Sequence, residues 1–192
     1  MKRLIVMKSC LIAIVLGLSL ASSVRASSLK EIFLAFVKHS GPAEFATLKK
    51  ACKPSASMPI DGDADIEKAL ATLNLSKSVL SIRAILLIYQ HCSDGAGAED
   101  VRGFLGNEVL ISQPSYLLQA LSQEGADEKL AALIVRTENT EYFAVACEPT
   151  DKKCSEGRRK MWADKRRALE NARVSSHLKS LKESMIRALP EE

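Results

Sequence analysis

The chain has 192 residues, of which 47% are hydrophobic, 26% charged and 5% aromatic. Abundant Ala and Leu, few aromatics and only short β-branched runs exclude a sheet-dominated fold and favour helix. The formal net charge of +4 suggests a basic protein, but it does not survive a reading of the first residues.

Those residues, MKRLIVMKSCLIAIVLGLSLASSVRASS, place Lys2, Arg3 and Lys8 ahead of an apolar run from Cys10 to Ala21, then small residues around Val24-Arg25-Ala26. That is the layout of a secretory signal peptide. The apolar run falls short of the about 20 residues a bilayer span needs. Cys10 opens the apolar region, whereas a lipid-modified cysteine would have to close it. Cleavage is expected after Ala26, making residues 1–26 the signal, and the style of the signal points to a bacterial periplasmic or secreted protein. Four of the 27 basic residues leave with it, so 23 remain against 23 acidic ones and the formal charge falls to zero. The charges are unevenly spread. Ser27 to Asp151 carries 11 basic and 17 acidic residues, whereas Lys152 to Arg187 carries 12 and 4. An acidic body thus precedes a basic tail, an asymmetry that points to a partner.

Leu29, Ile32, Phe33, Phe36 and Val37 recur at spacings of three and four, which predicts a helix ending near His39. Ser40-Gly41-Pro42 breaks it, and Pro42 starts a second helix through Phe45 and Leu48 to Cys52. Lys53 to Asp65 reads as a loop. Ile66, Leu70 and Leu73 give a short helix. Ser76 is expected to cap the next, through Val79, Ile82, Ile85, Leu86 and Tyr89 to Cys92; being apolar nearly all round, it should be the central buried helix. Further helices are expected over Glu99 to Leu105, Pro114 to Gln123, Asp127 to Arg136 and Asn139 to Cys147. Ser155 to Leu189 reads as one long basic amphipathic stretch with a bend at Val174-Ser175-Ser176. The expected fold is all-α: an irregular multi-helix domain over residues 27–154, with residues 155–192 packed on it or extending from it. HSGPAEFATL and LISQPSYLLQAL echo each other in the solenoid-like manner of proline-started helices. No period recurs over three units, as a repeat array requires.

An exported chain matures under oxidising conditions, and its four cysteines, Cys52, Cys92, Cys147 and Cys154, make an even count that favours two disulfides. Of three possible pairings, Cys52 with Cys92 and Cys147 with Cys154 is favoured, because three of the four sit at predicted helix ends. In ACEPTDKKC, six residues separate Cys147 from Cys154, more than the about two to four of a zinc knuckle, so zinc held by the cysteines and His91 is not expected. No C-x-x-C redox pair is present.

DGDADIEKALAT puts Asp61, Asp63 and Asp65 in the odd places of a calcium loop. Ile66 and Thr72 stand where its glycine and glutamate belong, so the string reads as an acidic loop in which Asp63 or Asp65 caps a helix. In ILLIYQHCSDGAGAEDVRGFLG a dinucleotide pattern fails at Asp100. There is no G-x-S-x-G, and His39, His91 and His177 are scattered, so no catalytic residue, cofactor or metal is expected. The basic tail is the strongest remaining signal. Trp162, Arg166, Arg167 and Arg173 are its candidate contact residues, because Trp and Arg dominate binding hot spots. The expected role is a non-enzymatic protein-interaction module, an adaptor or inhibitor of another envelope or secreted protein. An anionic lipid or polymer is the alternative partner, and an unrecognised hydrolase the third reading. Nucleic acid is disfavoured by export, by zero net charge and by too few aromatics for stacking.

Overall fold

The computed structural model describes residues 28–53, 58, 60, 62–93, 95–138 and 152–190. The expected signal peptide and the expected helix from Asn139 to Cys147 lie outside these. Among the described residues every regular element is helical.

Helix α1 (Leu29–His39) starts in a capping box. The Glu31 amide donates to Ser28 Oγ at 3.2 Å, and the Ser28 amide donates to Glu31 Oε2 at 2.8 Å. A left-handed Ser40, φ 39°, ends it. Helix α2 (Pro42–Ala51) carries Pro42 in its first turn, where no hydrogen bond is lost. Phe36 and Phe45 join the two helices with ring centroids 6.1 Å apart. Helix α3 (Ala64–Leu75) is capped by Asp63, whose carboxylate accepts from the Asp65 and Ile66 amides. Lys30 of α1 reaches across to Asp63 at 2.7 Å and Asp65 at 3.1 Å, so these acids of the calcium-like string are occupied by a lysine and by backbone N–H groups. Asp61 is outside the described residues.

Helix α4 (Val79–His91) is the expected centre: Ser81, Ile82 and Ala84 to Ile88 are buried, and it packs against α2, α3 and α5 (Gly95–Phe104). Its cap is not the expected Ser76 but Ser78, which makes no side-chain capping bond. Ser76 instead closes α3, its hydroxyl donating to the Leu73 carbonyl at 2.6 Å and sharing a hydrogen bond with the Ser81 hydroxyl at 2.8 Å.

The expected stop near Leu105 does not occur. Helix α5 passes through a π-helical turn (Leu105–Val109) into a last turn, α6 (Leu110–Ser112). Gly106 lies in this turn, where a side chain would collide with the Ile134 carbonyl. The glycine permits close approach and does not end the helix. Gln113 then breaks the chain, its amide donating to Asn74 Oδ1 at 2.7 Å and to the Asn74 carbonyl. Helix α7 (Pro114–Gln123) packs on α4. Helix α8 (Glu128–Val135) is capped by Asp127, whose carboxylate accepts from the Leu130 amide at 2.7 Å.

The basic tail forms two helices, α9 (Lys152–Asn171) and α10 (Lys179–Ala188), joined through residues 172–175 and a 3-10 turn (Ser176–Leu178). The expected bend is a full break. Helix α9 packs on α6 and α7, while α10 returns to α8, and Trp162, Lys165, Leu169, Leu178, Met185 and Leu189 are buried. Solenoid units meet only their immediate neighbours; here α4 touches helices before and after it and the last helix turns back.

The expected Cys52–Cys92 disulfide is present, joining the ends of α2 and α4 with Cα atoms 5.3 Å apart. Cys154 is disulfide-bonded as well; Cys147, its expected partner, is outside the described residues.

Candidate partner-binding groove

The last carbonyls of any helix lack intrahelical partners, and the basic residues of the tail region supply several. Lys165 Nζ donates to the Val135 carbonyl at 3.2 Å and to the Thr137 carbonyl at 2.5 Å, closing α8. Lys182 closes α9 through the Glu170 and Ala172 carbonyls at 2.8 and 3.1 Å. Arg136 Nε donates to the Ala188 carbonyl at 2.7 Å, and Arg166 Nη2 to the Pro190 carbonyl at 3.1 Å, at the end of α10. Cations there also complement the negative end of the helix dipole. Lys165, Lys182, Arg136 and Arg166 each act at the end of a helix other than their own, so no local pattern in the sequence reveals them.

Lys165 is fully buried, with Nζ 4.9 Å from the centroid of the Trp162 ring. Burial lowers its pKa from the ordinary 10.5 to about 8, against the opposing pull of the Glu138 carboxylate. Between those values the folded chain binds fewer protons at this site than the unfolded chain, so stability must rise with pH across that window. Relative to Lys165→Met, the wild-type protein is expected to gain roughly 3 kcal/mol between about pH 8 and about pH 10.5, read from urea denaturation midpoints. Parallel pH curves for the two proteins would refute the buried-cation account.

The four candidate contact residues part company. Trp162 is 7% exposed and packed in the core, so it is not available on the surface in this conformation. Arg166 is half-buried on the Pro190 carbonyl. Arg167 and Arg173 are exposed, and Arg167 has Asp164 at 3.9 Å. These two share a groove of about 530 Å3 with Ile111, Pro114, Ala168 and Ala172, formed where α9 passes α6 and the start of α7. Of the large hydrophobic residues left exposed among the described residues, Ile111, at 42%, lines this groove. The sequence pointed to the arginines. It did not reveal the apolar wall, which comes from the α6–α7 corner some fifty residues upstream in the chain.

Arg159, Lys160, Lys179 and Arg187 are also exposed and make no ion pair with other described residues. His39, His91 and His177 lie exposed at the ends of α1 and α4 and in the 3-10 turn. His177 Nδ1 shares a local hydrogen bond with Ser175 Oγ at 3.1 Å. No helix among the described residues is long and apolar enough to cross a membrane. Comparison with protein-family models, with curated proteins and with solved structures found no match to this chain.

Proposed function

We propose that this protein is an exported, disulfide-stapled interaction module that works by binding, and that its partner is another envelope or secreted protein presenting an acidic segment with an apolar anchor. The observation that carries the reading is the groove beside α9, where Arg167 and Arg173 stand exposed next to the apolar side chains of Ile111, Pro114 and Ala168. An apolar anchor ringed by arginine is the composition of binding hot spots. The Cys52–Cys92 bridge is in keeping with an oxidising compartment, and the signal-like leader supports a bacterial periplasm or beyond.

Reversing both charges, Arg167→Glu with Arg173→Glu, is expected to weaken partner capture from the exported fraction at least tenfold, about 1.4 kcal/mol, with the helical circular dichroism spectrum unchanged. Unaltered capture would move the site away from the groove. The exposed Arg159, Lys160, Lys179 and Arg187 favour one second reading, an electrostatic binder of anionic lipid or polymer. That reading predicts binding to phosphatidylglycerol vesicles that collapses as salt shortens the about 8 Å screening length.

A further inference from the structure

The groove beside α9 also receives the start of α7, since Pro114 and Ser115 line it together with Arg167 and Arg173. Gln113, in the N-cap position, makes no side-chain capping bond to α7; its amide group is engaged by Asn74 instead. Pro114 has no N–H. The Tyr116 and Leu117 amides both turn back to the Gln113 carbonyl, at 3.1 Å each. The Ser115 amide is left in the first turn without a partner among the described residues. A free N–H at a helix start favours an anion, and two exposed arginines in the same groove favour it independently.

Asp164 is the acid in this lining, and it limits how much negative charge the groove accepts. A run of carboxylates would set one of them against Asp164, and like charges brought together at an interface are costly. A single anion held by the arginines avoids that contact and leaves Asp164, which is half-buried, free to accept from a neutral N–H. The remaining wall is apolar, with Ile111, Pro114 and Ala168. The volume of about 530 Å3 lies within the range of small-ligand sites, roughly 300–1,000 Å3, which is room for a few residues and not for a long helix. One chemical unit matches one anion, one N–H donor and one apolar group in so small a space. It is the last residue of a peptide chain, which carries all three on a single Cα. An internal Asp or Glu beside an apolar residue spreads them over two.

We infer that the groove captures the C-terminal residue of its partner. Arg167, Arg173 and the Ser115 amide hold the terminal carboxylate, Ile111 and Pro114 hold an apolar last side chain, and Asp164 accepts from the last backbone N–H. Charge-assisted bonds from arginine and backbone N–H groups are a recurring means of holding such a chain end. The inference rests on the proposed function and refines it, the acidic group of the partner being its own terminus. The test titrates the 15N-labelled protein, purified from its native host, by NMR with acetyl-Gly-Ala-Leu as the free acid, with the same peptide as its C-terminal amide, and with acetyl-Asp-Leu-Gly amide. The last carries an equal charge on an internal acid. The free acid is expected to shift the Ser115 amide saturably, with at least tenfold weaker binding on amidation and in Arg167→Gln with Arg173→Gln. If that variant loses its helical spectrum, the free acid and its amide on the wild-type protein carry the test. Equal or tighter binding of the internal acid overturns the chain-end inference and leaves the proposed function standing. No saturable shift with the free acid, or a shift that spares Ser115 and persists in the folded glutamine variant, also overturns it; partner capture by the charge-reversed protein then decides the proposed function separately.

Discussion

Replacing Trp162 with alanine is expected to destabilise the protein by about 4 kcal/mol, the cost of removing a buried aromatic and leaving a cavity. The indole is 7% exposed within the main core cluster, and it faces the Lys165 ammonium at 4.9 Å. Its loss removes that cation–π contact as well as the burial. Urea denaturation should show a large fall in midpoint. Arg167→Ala and Arg173→Ala, at exposed positions, should stay within about 0.5 kcal/mol of wild type. A change below about 1 kcal/mol for the Trp162 variant would place the ring outside the core and return it to the surface as a contact residue.

The second large effect belongs to the disulfide. Cys52 and Cys92 are separated by 40 positions, and closing a loop of that length restricts the unfolded chain by about 4 kcal/mol in the chain-entropy model. Both residues are buried, at 6% and 2% exposure, so a Cys52→Ala with Cys92→Ala variant also loses packing where α2 and α4 end. Stability measured for this variant should fall by about 4 kcal/mol, a large fraction of the total for a domain of this size. A loss below about 1 kcal/mol would mean that the packing of α2 on α4 holds the fold without the crosslink.

Much of the fold could be read locally. Capping signals at Asp63 and Asp127 and prolines at Pro42 and Pro114 marked helix starts, and the all-round apolar pattern of Val79 to His91 identified the central helix. Where reading failed, the cause was in most cases non-local. Gly106 resembles a helix breaker until the Ile134 carbonyl is seen against it. Ser76 resembles a cap for α4 because its bond to Leu73 ends the preceding helix. Trp162 fits both the apolar stripe of a helix and a binding hot spot, and periodicity alone cannot decide between them. The tail's cations looked uniform in sequence, yet Lys165, Arg166 and Lys182 close helix ends while Arg167 and Arg173 remain outside. The candidate groove was legible only by half, because Ile111 and Pro114 are joined to the arginines by tertiary packing.

That division decides how the central claim must be tested. Truncation after Cys154 would strip Trp162, Leu169, Leu178, Met185 and Leu189 from the core, so lost binding would merely report lost folding. The direct measurement places a photo-crosslinking residue at Ser115, which lines the groove, in the protein expressed in its native host, and compares capture with and without Arg167→Glu and Arg173→Glu. The proposed function predicts one defined protein crosslinked in stoichiometric amount and lost on charge reversal. Equal capture by both proteins, or capture of no defined protein, would contradict it.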